Sequence, residues 1–403
     1  MISRLKLSLL LFISFLISCQ ENSPNNNQDF PELIDRSEKI QHGKEWDYVQ
    51  NIYSDKINQL RAEPENTEAK LVLAQLFIKE ARVTGEHGHY YPAALSMIDA
   101  ILDSKEELDP TTKFQALMHK AGVQLSLHDF ADALETGKQA IILNPRNAQI
   151  HGVLVDAYVE LGDYDQAIKI ADKMAAMKPD LRSYSRISYL REIHGDISGA
   201  IEAMTLAVEA GYPGYEETAW AMHTLAELYH RYGEEDKAEK VYQNILEVRE
   251  DYPFAVAALG DLYYERGDLE KAQEKLNEAI GIIPEVGFYI SLARIYKDQN
   301  RQAEFEEIKK EILLMLEDDV VHGHNMNLEY TDIYLDLFED PETALSYVQK
   351  EYEKRPDNID VNLLMAKVYQ NLNDTAKLRI YADAASITNS VHPDLVSLQA
   401  QIN

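Results

Sequence analysis

Apolar residues recur along this chain with the spacing of amphipathic helices, and the helical patterns come in pairs. Two apolar runs, Leu225 to Tyr229 and Leu259 to Tyr263, lie 34 residues apart. Gly233 and Gly267 follow these runs at equal distances. Glycine at such a point indicates the end of a helix, because it readily takes the left-handed conformation that closes helices. The pattern therefore predicts one helix before each glycine and another after it.

A second pattern marks the other helix of each pair. Segments that begin at Asp129, Asp163 and Asp268 share one layout, in which an alanine is followed twelve residues later by proline. Alanines such as Ala133 and Ala140 stand seven positions apart, which places them on one face of a helix. Proline ends that helix because it lacks an amide hydrogen. A period near 34 residues predicts a stack of helical hairpins.

These residues resemble the tetratricopeptide repeat family, whose hairpin carries small residues at set places in both helices. The matching residues are, in first helices, Ala74, Ala121, Ser188, Ala226, Gly260, Ala293 and Ala366, and in second helices, Ala94, Ala133, Ala167, Ala200, Ala238, Ala272 and Ala344. Small side chains allow close helix approach. The resemblance covers residues 40–393 and implies an all-α fold, a right-handed α-solenoid of about nine hairpins within residues 33–403.

The repeat is irregular in places. Asp332 stands at a small position, and Phe305 and Leu378 replace the second-helix alanine. We expect an insertion between the helices of the first hairpin, from Glu80 to His89. One more helix, around Lys44 to Leu60, is predicted to begin the stack.

The amino terminus has the features of an export signal. Arg4 and Lys6 precede an apolar run from Leu7 to Ile17 that is too short to span a bilayer. The following Cys19 is the only cysteine and completes a sequence that resembles the lipobox of bacterial lipoproteins. We expect a signal peptide at residues 1–18, an acylated Cys19 held in the lipid bilayer, and a polar, flexible tether at 19–32. The implied location is the cell envelope of a bacterium, on the periplasmic face or the outer-membrane surface.

Charge and motifs narrow the function. The formal net charge of −30 argues against nucleic acid as a ligand, since binding it requires clustered lysine and arginine. The sequence has no zinc-protease helix, nucleophile elbow, phosphate loop or cysteine pair. We therefore expect binding rather than catalysis, and no cofactor.

A solenoid of this kind offers an extended concave surface. By resemblance the first helices line it, and the predicted groove residues are Trp220, His223, Glu227, His230, Arg231, Phe254, Asp261, Tyr264, Glu265, Arg294, Lys297 and Asp298. Mixed aromatic and charged groups suit a protein or peptide partner. The alternative is a glycan or other small ligand of an envelope uptake system, although such proteins usually break the repeats with long insertions.

A His-Gly-His pattern occurs twice, at His87 and His89 and again at His322 and His324. Histidines two residues apart can both bind a metal, but zinc needs three or four ligands, so each pair is at most half of a site. With six to seven hairpins between them and helices about 9 Å apart, we expect the pairs to lie on the order of 50 Å apart. Metal binding is thus a third hypothesis, which requires the solenoid to close on itself.

Overall fold

The computed structural model describes residues 30–402 of the 403-residue chain, and residues 33–402 of these belong to one compact unit. Within the described residues there are twenty α-helices and no β-strand, so the all-α prediction is confirmed. The predicted signal peptide, Cys19 and most of the predicted tether lie outside the described residues.

The helices follow one another with short connections. They are α1 (Lys44–Ala62), α2 (Thr67–Thr84), α3 (His87–Leu102), α4 (Pro110–Ser126), α5 (Phe130–Leu143), α6 (Ala148–Glu160), α7 (Tyr164–Met177), α8 (Leu181–Ile193), α9 (Ile197–Glu209), α10 (Glu216–Arg231), α11 (Glu235–Val248), α12 (Pro253–Glu265), α13 (Leu269–Ile280), α14 (Val286–Asp298), α15 (Gln302–Val321), α16 (Asn327–Asp332), α17 (Pro341–Lys354), α18 (Ile359–Asn371), α19 (Thr375–Ala385) and α20 (Pro393–Ile402). A π-helical segment, Ile333–Leu337, prolongs α16.

From α2 to α19 the helices pack as nine consecutive antiparallel pairs, which is the predicted number of hairpins. Helix α1, predicted around Lys44 to Leu60, packs on the first pair, and α20 packs on the last. The small residues that carry the resemblance are all buried. Gly260 shows why they are small, because a Cβ there would lie 3.1 Å from Cγ of Leu276 on the paired helix.

A repeated turn ends the first helix of most hairpins. Gly162, Gly195 and Gly233 occupy it with φ near +80°, a conformation that costs L-residues free energy. In the second hairpin His128 takes the equivalent position with a φ of +59°. This non-glycine residue in a strained backbone conformation marks a place where the surrounding structure fixes the loop.

Successive hairpins rotate until the chain meets itself five or six hairpins later. The side chain of Asn358 donates a hydrogen bond to the carbonyl oxygen of Glu160 at 3.1 Å, across 198 positions. The amide of Ile359 donates to the hydroxyl of Tyr164 at 2.9 Å. Similar contacts join His128 to Asn325. The compact unit is therefore a superhelix in which residues about 195 positions apart pack together.

The predicted insertion from Glu80 to His89 is wrong. Only Gly85 and Glu86 separate α2 from α3, because the additional residues lengthen both helices of the hairpin instead of forming a loop. Glu80 is fully buried and binds the guanidinium of Arg36 through two hydrogen bonds of 2.7 Å. This ion pair favours a continued helix over a solvent-exposed loop.

None of the helices in the described residues combines the length and the apolar character that a membrane span requires.

Candidate functional site

A cavity of about 410 Å³ opens on the inner side of the superhelix, where α6, α8 and α10 lie side by side. Its apolar wall is formed by Val155, Val159, Leu181 and Met204. Trp220 borders the cavity and is 38% exposed, which is high for so large an aromatic side chain. An apolar cavity with an accessible indole is suited to hold a side chain of a partner.

A larger groove of about 1060 Å³ adjoins this cavity along the inner faces of α2, α4, α6 and α8. Although the protein is strongly acidic, five cationic side chains line the groove: Lys79, Arg82, Arg182, Arg186 and Arg249. Four carboxylates, those of Glu45, Asp156, Glu216 and Glu217, line the same groove, so its surface carries both signs of charge in nearly equal number.

Three of these arginines have carboxylate partners. Arg182 pairs with Glu217 at 2.6 Å, and Arg186 pairs with Asp156 at 2.5 Å. Both pairs are partly exposed, and Arg186 binds Asp156 through two N–H groups.

The third pair, Arg82 with Glu216, joins α2 to α10 at 3.3 Å. These helices come from the first and the fifth hairpins. The pair therefore connects two hairpins that are four apart in the sequence of hairpins, at the edge of the groove.

Of the predicted groove residues, Trp220 lines the cavity of about 410 Å³ between α6, α8 and α10. Arg231 lines a smaller cavity of about 210 Å³ near α18. Arg231 forms an ion pair with the buried carboxylate of Glu192. His223 lies 3.5 Å from Glu227 and is surrounded by the rings of Tyr242, Tyr252 and Phe254, so it is a packing residue with a neighbouring ion-pair partner. Asp261 is partly buried, and burial raises the pKa of its carboxyl group.

Most of the remaining predicted residues bind one another from helix to helix. His230 lies 2.7 Å from Glu265, and the hydroxyl of Tyr264 donates to Asp298 at 2.7 Å. Lys297 forms the next such contact, an ion pair with Glu339 at 2.7 Å. Arg294 is exposed beside them. These contacts connect successive first helices, and they show why exposed polar residues predicted to bind a ligand also have a structural role.

Sequence reasoning did not select the residues of α6 and α8 that line the cavity. Val155 and Leu181 look like ordinary core residues in an amphipathic pattern, and only the fold leaves them facing an open space. A usable indication was present in Arg182 and Arg186, which lie on one helical face and point to a charged surface.

A histidine cluster forms where α3 meets the end of α15 and the loop that follows it. The ring centroids of His87 and His324 are 6.1 Å apart. One donor atom each from His87, Asp319 and His324 lies within 4.8 Å of the others. The expected separation of about 50 Å between the two His-Gly-His segments is therefore wrong. That expectation assumed a straight stack, whereas the superhelix brings the segments into contact.

Gly88 shows how closely the two segments approach. A Cβ at this position would lie 2.9 Å from Nδ1 of His322 and 3.0 Å from a carboxylate oxygen of Asp318. His322 itself is exposed and its Nδ1 lies 2.8 Å from the carbonyl oxygen of Asp318. Among the described residues, neither His89 nor His322 belongs to the group whose donor atoms converge. The structure thus brings together two of the four predicted metal ligands.

The environment of the cluster favours a neutral imidazole at His87. Burial, together with the neighbouring His324, lowers the pKa of His87. Burial and the carboxylate of Asp319 raise the pKa of nearby Glu285 to about 7. Nδ1 of His324 lies 3.9 Å from Asp319, and neither ring nitrogen of His324 has a hydrogen-bond partner. A neutral imidazole keeps a lone pair available for a metal ion.

Comparison with known proteins agrees with the repeat architecture. Residues 124–191 and 255–286 match models of the tetratricopeptide repeat, so repeats of this class are present in the chain. These stretches contain several of the small residues identified above. No curated protein matches the sequence.

Solved structures with a similar course of the chain have low sequence identity. The Cut9–Hcn1 hetero-tetramer of the APC/C aligns over 92% of this chain and 60% of the other, with 13% identity and a TM-score of 0.45. This chain thus spans about 60% of that relative's length. TTC0263, a tetratricopeptide protein of Thermus thermophilus, aligns over 46% and 98%, with 24% identity and a TM-score of 0.38. Pseudomonas aeruginosa pilF aligns over 66% and 98%, with 14% identity and a TM-score of 0.39.

Proposed function

We propose that this chain is a membrane-anchored scaffold lipoprotein that binds a segment of a protein partner in the cavity between α6, α8 and α10. The observation that carries the proposal is an apolar cavity bordered by an exposed indole and by a rim of paired arginines and carboxylates. Tetratricopeptide repeats are compatible with protein binding, and the role proposed here is binding rather than catalysis.

The chemistry of the cavity favours an amphipathic ligand. An apolar side chain of the partner packs between Leu181 and Met204, where its burial contributes about 25 cal/mol per Å². Trp220 adds an aromatic contact at the entrance. Polar groups on the same segment bind the mixed rim of the cavity, where Arg182 is paired with Glu217 and Arg186 with Asp156. The preferred partner segment is therefore extended and amphipathic, with polar groups of both charges beside its apolar residues.

Anchoring rests on the amino-terminal sequence. Cys19 follows the apolar run at the place where lipoproteins are acylated, and the polar residues after it provide reach from the bilayer. The proposed location is the bacterial cell envelope, on the periplasmic face or the outer-membrane surface.

The test is site-specific photo-crosslinking of the full chain in cells. A photoreactive residue replaces Thr224, which lines the cavity, and in a control protein it replaces Ile142, which is 79% exposed on the second helix of its hairpin. We expect protein adducts from position 224 that are absent from position 142. Trp220→Ala should reduce the adducts at 224 while leaving the fold intact by circular dichroism.

The glycan alternative makes a different prediction for the same proteins. If the cavity binds an oligosaccharide, then purified glycans should change the fluorescence of Trp220, and no protein adducts should form at position 224. Equal adducts at positions 224 and 142 would contradict binding in the cavity. Either result removes the proposal of a protein partner at this site.

A further inference from the structure

His324 lies at the contact between two turns of the superhelix, where both of its ring nitrogens are buried and have no hydrogen-bond partner. Its side chain is 9% exposed. Burying a polar group without such a partner costs free energy, and native proteins rarely leave one unpaired. An additional ligand between His324 and its neighbours would remove this cost.

The neighbours of His324 have the chemistry of metal ligands. His87 and Asp319 contribute an imidazole nitrogen and a carboxylate oxygen, and the three donor atoms lie within 4.8 Å of one another. Zinc binds such donors at about 2.0 to 2.2 Å, so side-chain rotations that move the donors by about 1 Å complete the geometry. Two nitrogens and one oxygen favour a first-row transition metal over magnesium or calcium, which prefer oxygen ligands.

His128 is positioned to add a further nitrogen. Its ring centroid lies 4.7 Å from that of His324, and its Nδ1 lies 3.0 Å from the carbonyl oxygen of Asn325. A hydrogen bond from Nδ1 to a carbonyl fixes the tautomer in which Nε2 carries the lone pair, an arrangement common around metal-bound histidines. The left-handed backbone at His128 places this ring beside the cluster.

We propose that His87, Asp319 and His324 bind a divalent transition-metal ion of the zinc type, with His128 available as a fourth ligand. The ion joins the start of α3 to the end of α15 and the loop after it, and so connects adjacent turns of the superhelix. Because it closes a loop of more than 200 residues, the ion stabilises the closed superhelix against separation of its turns. This role is independent of the proposed binding of a partner segment in the cavity.

The direct test uses zinc ions alone and the purified full-length chain. Equilibrium dialysis followed by metal analysis should give one Zn²⁺ per chain. Co²⁺ in its place should give the visible absorption of a tetrahedral or five-coordinate site. His87→Ala and Asp319→Asn should each weaken Zn²⁺ binding at least about tenfold, since even changes outside the ligand set have effects of about 10 to 100-fold.

Matched controls come from the same two segments. His89→Ala and His322→Ala remove histidines that are absent from the converging group, and both variants should bind Zn²⁺ like the original chain. Zn²⁺ should also raise the melting temperature of the original chain and of both controls, but not that of His87→Ala. If His87→Ala does not fold, the test relies on Asp319→Asn. Asparagine has the shape of aspartate, so this variant creates no cavity.

Three results would overturn the proposal. The first is less than half an equivalent of Zn²⁺ bound by the folded chain. The second is undiminished binding by both His87→Ala and Asp319→Asn. The third is binding that depends on His89 or His322 instead, which would assign the ion to one His-Gly-His segment rather than to the junction of the two.

Discussion

Asn325 donates its backbone amide hydrogen to the carbonyl oxygen of Leu127 at 3.1 Å, and its own carbonyl oxygen lies 3.0 Å from Nδ1 of His128. One main-chain hydrogen bond and one contact from a side chain to a carbonyl thus join two loops that lie 197 positions apart. Backbone groups are obligatory hydrogen-bonding groups, so these loops satisfy each other in place of water. The contact between turns of the superhelix is a specific interface, and four predictions concern this interface and the anchoring of the chain.

Arg355 is predicted to be a major contributor to the stability of that interface. Its side chain is 4% exposed, pairs with Glu160 on the adjacent turn, and binds Glu351 with Nε 2.5 Å from the carboxylate. Arg355→Ala leaves Glu351 as a buried carboxylate without a cationic partner, so we expect a loss of about 3 to 5 kcal/mol in the free energy of unfolding, measured by urea denaturation. Lys138→Ala breaks the exposed pair with Glu135 and should cost less than about 1 kcal/mol.

Gly162 is predicted to be required for the close approach of adjacent turns. A Cβ at Gly162 would lie 2.5 Å from the carbonyl oxygen of Asp357, whereas a Cβ at Gly233 has nothing within 4 Å. Both glycines have φ near +80°, so Gly233→Ala measures the backbone strain alone, about 1 to 2 kcal/mol. Gly162→Ala should lose clearly more stability and increase the radius of gyration in small-angle scattering. Equal losses from the two variants would contradict this account.

We predict that protonation of Glu351 in acid lowers the free energy of unfolding. Burial opposes ionisation, but hydrogen bonds from Asn325 and Asn327 and the charge of Arg355 outweigh it and lower the pKa of Glu351. A lowered pKa contributes stability above the unfolded value of about 4.3, and this contribution is lost as pH falls through the folded pKa.

The measurement compares the original chain with Glu351→Gln across pH. Their difference in free energy of unfolding should be largest near pH 7 and should shrink below about pH 4.3. Glu353→Gln alters an exposed carboxylate on the same helix and serves as the control. A difference that stays constant from about pH 7 to about pH 3 would show that ionisation of Glu351 does not stabilise the junction.

If the chain is anchored through acylated Cys19, replacing this cysteine should abolish processing or membrane retention. Cys19→Ser removes the only thiol that could be acylated, so the protein should appear in the soluble fraction or remain as an unprocessed precursor. Membrane fractionation and the mass of the amino-terminal peptide measure this directly. Ser23→Ala, in the predicted tether, should leave both unchanged. Normal processing of Cys19→Ser with full membrane retention would argue against acylation.

The repeat could be read from the sequence because its determinants are local. The spacing of Ala133 and Ala140 fixes one helical face, and the turn at Gly233 separates two helices whatever lies further along the chain. The prediction of an insertion from Glu80 to His89 was wrong because the structure of this segment also involves residues far away in the sequence. In the structure the helix continues through that segment, and Glu80 is buried against Arg36, which lies 44 positions away in the sequence.

The sequence by itself therefore determined the helices, their pairing into hairpins and the small residues between them, since each depends on neighbours within about one repeat. Only the tertiary structure decided where the hairpins meet again. Small rotations between repeats accumulate over five or six hairpins and bring His87 to His324 and Leu127 to Asn325. No local pattern encodes that accumulated angle, so the cavity beside Trp220 and the histidine cluster become visible only in the folded superhelix.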